Sequence, residues 1–231
     1  MAGFDTIATS YEDVHNRNLR LTGESSEFFV RHKVAVIAQF WRERGLRDDG
    51  AFLDLGCGIG RSFQPFREAL PRARYAGADP SADSIEVART QPGSPDCVTF
   101  DGRTLPYADG SFDMVFAACV VHHVPPGARP ALYAEVRRVL RPGGYFVVFE
   151  HNPLNPATRY LVRTCDFDDD AILLRAGPLR RALRAAGLAD PTGAFVLFLP
   201  RFLRDRFPRI ESWLARVPLG AQYWVAVRRP A

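Results

Sequence analysis

The chain of 231 residues has the composition of an ordinary globular protein and is long enough to bury a sizeable core. Apolar residues make up 47% of it and charged residues 24%, which excludes a disordered or fibrous chain. The longest apolar run, residues 114–121, has eight residues and falls short of the roughly 18–20 that cross a bilayer. One α/β domain with a small appendage is therefore predicted.

The formal net charge of +4 is unevenly distributed. Residues 1–156 carry 17 basic and 19 acidic side chains, a net charge of −2, whereas residues 157–231 carry 13 Arg and 7 acids, a net charge of +6. Of the 30 basic residues 29 are Arg; Arg-rich codon usage is the favoured cause of this excess of Arg over Lys, because a net charge of +4 is weak support for binding of a polyanion. The four cysteines form no CxxC pair, and the first residues lack the pattern of a signal peptide. A cytoplasmic protein with free thiols is expected.

The predicted elements alternate between helix and strand along the chain. Phe29, Lys33, Val36, Ile37 and Phe40, at three- and four-residue steps, predict a helix over 25–45 that ends at Gly45. The following elements are predicted in this order: strand 51–56, helix 61–70, strand 73–79, a helix capped by Ser81, strands 96–100 and 111–121, helix 128–140, strand 145–150, helix 177–186, and strands 194–199 and 223–228. Strands joined by helices imply right-handed crossovers. We therefore predict an α/β fold with a doubly wound, mostly parallel seven-stranded sheet (Rossmann-like) and helices on both faces.

The segment 200–218, before the last strand, predicts a small helical insertion with one apolar and one basic face. The apolar stripe comprises Leu203, Phe207, Ile210, Leu214 and Val217, and the basic face comprises Arg201, Arg204, Arg206, Arg209 and Arg216. Three interpretations stay open: a surface helix packed on the sheet, a lid over an anionic acceptor, or a helix that lies on a membrane.

The glycine-rich sequence FLDLGCGIGR, residues 52–61, is the densest functional signal. A strand that runs through Gly56, Gly58 and Gly60 into a helix lets the backbone lie against a ligand. Dinucleotide folds place these glycines at i, i+2 and i+5, whereas here they fall at i, i+2 and i+4, and no GKS or GKT is present. Asp79 follows 19 residues after Gly60, at the end of the second predicted strand, where a carboxylate can accept both ribose hydroxyls.

Five motifs together resemble one family. They are FDTIATSYEDV (4–14), DLGCGIG (54–60), AGADPS (76–81), FDGRTLPYADGSFDMV (100–115) and LRPGGYFVVFE (140–150). In this order they resemble the class I S-adenosylmethionine-dependent methyltransferases, small-molecule subgroup, similar to the type 11 and 12 enzymes of ubiquinone and menaquinone biosynthesis. The resemblance covers nearly the whole chain and implies S-adenosylmethionine as cofactor and S-adenosylhomocysteine as product.

The resemblance also implies which residues hold the cofactor. The methionine part would lie on the loop formed by Gly56, Cys57, Gly58 and Gly60. Asp54 would orient this loop and the ammonium group, which the carbonyl near Cys119 would also contact. Asp79 and Pro80 would hold the ribose, Asp101 and Gly102 the adenine, and Tyr11 of the lid would stack over the cofactor or the acceptor.

Methyl transfer from a sulfonium is an in-line displacement that depends on positioning, and it needs a base only if the acceptor must lose a proton. No metal is required. His122 and His123 follow the fourth predicted strand and His151 ends the fifth, at the edge where a base would lie. These three histidines are the catalytic candidates, although His122 could instead pack beneath the cofactor.

The whole chain, 1–231, is predicted to be a single methyltransferase domain. Residues 1–50 form the N-terminal lid and helix, 51–156 the cofactor-binding core, and 157–231 the C-terminal half with the substrate-lid insertion. The expected partner is a small-molecule acceptor, anionic if the basic segment closes over it.

Several functions besides this one stay open. A nucleic-acid methyltransferase is disfavoured because the fourth strand lacks the Asn/Asp-Pro-Pro-aromatic and Pro-Cys motifs and no basic module precedes the core. The sequence is also compatible with a lipid or quinone acceptor, with peripheral membrane contact, and with a cofactor-binding cyclase of the same fold. It indicates neither the acceptor atom nor the oligomeric state.

Overall fold

A computed structural model describes residues 25–165, 168–199, 203, 206 and 210–231, and of Ser212 only the backbone. The strands are β1 (Ala51–Leu55), β2 (Arg74–Asp79), β3 (Asp96–Thr99), β4 (Phe112–Ala118), β5 (Leu140–His151), β6 (Ala189–Val196) and β7 (Gln222–Arg228). The helices are α1 (Ser26–Glu43), α2 (Phe63–Ala69), α3 (Ala82–Arg89), α4 (Arg129–Val139), α5 (Pro156–Arg163), α6 (Ala176–Ala185) and α7 (Ile210–Leu214), and a 3₁₀ turn spans Val121–His123.

The seven strands form one sheet in the order β3-β2-β1-β4-β5-β7-β6. All pairs from β3 to β5 are parallel, whereas β7 runs antiparallel between β5 and β6. The predicted seven-stranded, mostly parallel sheet is thus confirmed. The strand order reverses at β1 and β4, and ligands of open α/β sheets bind outside the carboxyl ends of the strands at such a switch point.

Helices cover both faces of the sheet because successive side chains of a buried strand point to opposite sides. In β1, Leu53 and Leu55 pack with α4 and α6 on one face, while Phe52 packs with α1, α2 and α3 on the other. All five residues of β1 are buried. The glycine loop that follows β1 is therefore anchored to the centre of the sheet.

Helix α1 turns a different face to the core than its sequence pattern predicts. The predicted Ile37 and Phe40 are buried, together with Val34 and Trp41, but Phe29, Lys33 and Val36 are only half-buried. The helix ends at Glu43, two residues before the predicted end, because Gly45 adopts the left-handed conformation with φ +61°.

Two central strands have different bounds from those predicted. The prediction 111–121 for β4 is wrong at its end: the strand stops at Ala118 because Cys119 has φ +59°, and Val121 begins the 3₁₀ turn. The prediction 145–150 for β5 is too short, since the strand begins at Leu140, which pairs with Phe112 of β4. The Gly143 N–H also bonds the carbonyl of Arg229, which extends the pairing of this edge.

The C-terminal third completes the sheet and contains a helix that the sequence pattern missed. Strand β6 begins five residues before the predicted 194, and Leu197, with φ +63°, follows its end. No element is predicted for the stretch that forms helix α5: Asn155 caps it by accepting a hydrogen bond from the Thr158 N–H, and Pro156 takes its first position. In the predicted helical segment 200–218, α7 is described, while residues 200–202, 204–205 and 207–209 lie outside the described residues.

Among the described residues, no helix has both the length and the apolar character needed to span a bilayer.

Candidate active site

The loop after β1 is fastened to the end of β2. The N–H groups of Gly56 and Cys57 both bond the carbonyl of Ala78, at 2.7 and 3.3 Å. The Gly58 N–H donates to Asp79 Oδ2 at 2.8 Å, and Asp79 Oδ1 accepts from the Ser81 N–H at 2.9 Å. The predicted ribose acid and the predicted glycine loop are thus in direct contact at the carboxyl edge of the sheet, beside the exposed Pro80.

The three loop glycines are required for different reasons, although each has a positive φ. A Cβ on Gly56 would lie 2.4 Å from Val120 Cγ2, and a Cβ on Gly60 would lie 3.2 Å from the Cβ of Ala88 in α3. A Cβ on Gly58 would meet no atom within 4 Å. Gly56 and Gly60 therefore allow close packing, whereas Gly58 leaves open space above the loop.

Two predicted cofactor residues, Asp54 and Cys57, have buried side chains. Asp54 is 3% exposed; it accepts hydrogen bonds from Ser62, which precedes α2, and from the Tyr75 hydroxyl. Burial raises the pKa of Asp54 to about 6, although these two hydrogen bonds oppose the rise. The Cys57 thiol is also buried and contacts the thiol of Cys97. Asp54 thus supports the start of α2, and the Cys57 side chain belongs to the core.

Asp101 follows β3 on an exposed turn. Its Oδ1 accepts the N–H groups of Arg103 and Thr104, at 2.8 and 2.7 Å, and these bonds lower the pKa of its carboxyl. Gly102 has φ +75°. Thr99, the last residue of β3, is paired with Asp79 of β2. The turn therefore lies at the same edge of the sheet as Asp79.

Cys119, the first residue after β4, has a thiol surrounded by polar groups. Its Sγ lies 3.6 Å from the Lys33 Nζ and 3.7 Å from the Gln222 Nε2, and it also contacts His151. Burial alone would raise the pKa of this thiol, but His151 and Lys33 lower it to about 7. Lys33 and Gln222 join the site from α1 and β7, and no sequence motif marks them.

The three predicted catalytic histidines come together with carboxylates at the same edge. His122 and His123 lie on the 3₁₀ turn, and the ring centroid of His122 is 5.4 Å from that of His151. His122 Nδ1 lies 2.5 Å from Glu150 Oε2, and His123 Nδ1 lies 2.6 Å from Asp170 Oδ1. Asp168 Oδ1 lies 3.3 Å from His122 Nε2 and 3.6 Å from His123 Nε2.

The histidines differ in exposure and charge. The His122 side chain is 0% exposed and that of His123 is 21% exposed. Burial would lower the pKa of His122, but Glu150 and Asp168 raise it to about 10, whereas burial and the neighbouring His122 lower the pKa of His123. Burial would also lower the pKa of His151, but Cys119 raises it above its ordinary value.

Asp168 and Asp170 are the functional candidates that sequence reasoning missed. They lie in the acidic run 168–170 after α5, which no strand or helix pattern connects with the 3₁₀ turn. The Ile172 N–H bonds the carbonyl of His122 at 2.8 Å and thereby holds this segment against the turn. Tyr11, predicted to stack over the cofactor, lies outside the described residues.

Comparison with known proteins finds a methyltransferase domain within the chain. Residues 53–148 match a family described as a methyltransferase domain. Methyltransferase GfsG of Streptomyces halstedii is 38% identical over 102 residues, which cover 42% of this chain and 36% of that protein. The matched segments cover between 29% and 38% of the curated relatives' own length.

Solved structures share the fold over almost the whole chain. A possible histamine N-methyltransferase from Thermotoga maritima has a TM-score of 0.65 at 20% identity, covering 98% of both chains. Phosphoethanolamine N-methyltransferase 2 of Haemonchus contortus, solved with S-adenosylmethionine, has a TM-score of 0.63 at 19% identity and covers 98% of this chain and 57% of that one. Over residues 53–148 the chain thus matches a methyltransferase domain, and over nearly its whole length it shares the fold of these solved methyltransferases.

Proposed function

We propose that the protein transfers a methyl group from S-adenosylmethionine to a small-molecule acceptor at the edge formed by the glycine loop and the histidine cluster. The observation that carries the proposal is the contact between Gly58 and Asp79 at the switch point of the sheet. The open space above Gly58 suits a ligand that lies on the loop backbone, and Asp79 suits the ribose hydroxyls.

The remaining cofactor contacts are proposed on the same basis. Gly56, Cys57 and Gly60 shape the loop, and Asp54 fixes its exit into α2 through Ser62. Asp101 and Gly102 lie at the end of β3, on the side where the adenine would extend. S-Adenosylmethionine supplies the electrophilic methyl group, and the residues of this chain bind and orient it.

The acceptor would lie against His123. It is the more exposed histidine of the 3₁₀ turn, and Asp170 fixes its ring through Nδ1 so that Nε2 is directed away from that carboxylate. For an acceptor that must lose a proton, His123 Nε2 would take it. His122 is fully enclosed between Glu150 and Asp168 and would therefore position its neighbours.

A second candidate acceptor class is apolar, because large apolar side chains are exposed in the C-terminal third of the chain and in the loop before α5. Trp213 of α7 is 84% exposed and Leu219 is 57% exposed, and the Asn155 amide donates to the Leu219 carbonyl beside the exposed Leu154. Such a surface suits a lipid or quinone acceptor. Co-flotation with liposomes of anionic and neutral lipid tests this second candidate, which fails if the protein stays at the bottom of the gradient with both.

The experiment that tests the main proposal follows the release of S-adenosylhomocysteine. Protein is incubated with methyl-labelled S-adenosylmethionine and a panel of phenols, carboxylates, amines and detergent-dispersed quinols. We expect label in one acceptor class and a stoichiometric amount of S-adenosylhomocysteine. Both should be lost in Asp79→Asn. Both should be kept in the control variant Asp83→Asn, which changes an exposed position of α3. Bound cofactor without any product across the panel would support a binding or cyclase function instead.

A further inference from the structure

Three ligand-type atoms converge beside the sheet edge. They are His122 Nε2, His123 Nε2 and Asp168 Oδ1, and all lie within 4.8 Å of one another. Asp168 Oδ1 is 3.3 Å from the first nitrogen and 3.6 Å from the second. The ligand atoms of a tetrahedral zinc ion lie roughly 3.3 to 3.5 Å apart, since each is about 2.0 to 2.1 Å from the metal. Two of the three spacings thus match a tetrahedral site to within a few tenths of an ångström.

The far side of each imidazole is held by a carboxylate. His122 Nδ1 pairs with Glu150 and His123 Nδ1 pairs with Asp170, at 2.5 and 2.6 Å. In metal sites, the ligating histidine donates its other ring N–H to such a carboxylate, which fixes the ring and leaves the second nitrogen's lone pair for the metal. Both histidines of this cluster have a carboxylate at Nδ1, and at His122, whose pKa is raised to about 10, a metal ion would displace the proton on Nε2.

The surroundings favour a bound cation. His122 Nε2 is a buried nitrogen of a fully enclosed side chain, and within the described part of the chain no group meets the geometry of a hydrogen bond to it. Three carboxylates, those of Glu150, Asp168 and Asp170, surround the two imidazoles. A divalent ion at the shared point would satisfy this nitrogen and balance the negative charge.

We propose that His122, His123 and Asp168 bind one divalent transition-metal ion of the zinc type. Two nitrogens and one carboxylate oxygen suit Zn²⁺ or Co²⁺, whereas Mg²⁺ and Ca²⁺ prefer oxygen ligands alone. Three protein ligands leave a tetrahedral ion one open position. Since His123 is the ligand histidine with an exposed side, the open position faces the proposed acceptor space.

The metal site does not rest on the proposed methyl transfer. The cofactor residues lie on β1 and β2 and in the loops after β1, β2, β3 and β4, and none of them supplies a ligand to the ion. The two roles meet only at His123, whose Nε2 lone pair can hold either the metal or a proton. Metal-loaded protein would therefore lack His123 as a base and would present an acceptor hydroxyl with the open metal position instead.

Metal titration of the full chain tests the proposal. Protein freed of metal with a chelator is titrated with Co²⁺ while visible absorption is recorded, and Zn²⁺ affinity is measured by competition. We expect one Co²⁺ per chain with the intense absorption of a tetrahedral site. Asp168→Asn should weaken binding more than about 100-fold and Asp170→Asn, which removes only the carboxylate behind His123, by roughly 10- to 100-fold.

Asp169→Asn serves as the matched control, because Asp169 is exposed and lies between the two tested residues. It should bind Co²⁺ as the unaltered chain does. S-Adenosylhomocysteine binding, measured on the same samples, should be equal in all variants and so shows that the fold and the cofactor site persist. The proposal is overturned if the unaltered chain gives no tetrahedral Co²⁺ spectrum, as a protonated His122 would cause, or if Asp168→Asn binds Co²⁺ as tightly as Asp169→Asn does.

Discussion

Replacing the buried Asp54 by asparagine is expected to stabilise the protein in a pH-dependent way. Burial raises the pKa of this carboxyl from its ordinary 3.8 to about 6. At about 1.4 kcal/mol per pKa unit, the native state loses on the order of 3 kcal/mol when Asp54 ionises. The side chain introduced by Asp54→Asn keeps an oxygen that can accept from Ser62 and Tyr75 but carries no charge.

The number of protons bound by the native and the unfolded chain determines whether the free energy of unfolding rises or falls with pH. Between pH 4 and 6 the native carboxyl holds its proton while the unfolded one has lost it, so stability falls as pH rises through this window. The Asp54→Asn variant lacks this loss. Its free energy of unfolding, relative to the unaltered chain, should therefore rise by roughly 2 kcal/mol between pH 4.5 and pH 8, where the native Asp54 is ionised.

Urea unfolding at five pH values between 4.5 and 8 measures this difference directly. Ser62→Ala provides a comparison in the opposite direction: it removes a donor to the carboxylate, so the loss of stability with pH should become steeper. A stability difference between Asp54→Asn and the unaltered chain that stays constant over the whole pH range would show that the pKa of Asp54 is not raised in the native state.

Three further substitutions test the packing of the loop and of the sheet edge. Gly56→Ala should destabilise by about 2–5 kcal/mol, because its Cβ would overlap Val120 at a left-handed backbone position; a urea midpoint near that of the unaltered chain would contradict this. Gly58→Ala should lower the free energy of unfolding by only about 1 kcal/mol, since its Cβ meets open space. It should nevertheless weaken S-adenosylhomocysteine binding at least tenfold in calorimetry. Unchanged affinity would show that the ligand does not lie on the loop. Asn152→Ala should cost about 2–4 kcal/mol by thermal unfolding, because the buried amide donates to the carbonyls of Pro218 and Gly220, and a loss below about 1 kcal/mol would count against this linkage.

The parts of the fold that the sequence predicts are those dictated by local patterns. The apolar strands, the Ser81 cap and the stop at Gly45 are read from neighbouring residues, and the structure has them. The start of β5 at Leu140 depends instead on pairing with Phe112, nearly thirty residues earlier, and no local pattern records that pairing.

Some residues of the candidate site are likewise predictable from the sequence, whereas others come together only through tertiary contacts. The contact of Gly58 with Asp79 lies at strand ends that a parallel sheet must align, so spacing alone places both residues at one edge. Asp168 reaches His122 only because the chain after α5 folds back and the Ile172 N–H bonds the turn. Such tertiary contacts of an irregular segment leave no periodic signal in the sequence.

Calorimetric titration of the full chain with S-adenosylhomocysteine measures cofactor binding at the glycine loop and Asp79. We expect one bound molecule per chain. Asp79→Asn should weaken the affinity roughly 10- to 100-fold, since a hydrogen bond to a charged group contributes about 1.5–3 kcal/mol, while Asp83→Asn leaves it unchanged. Absence of binding to the unaltered chain, or equal affinity in the two variants, would contradict the assignment of the glycine loop and Asp79 as the cofactor site.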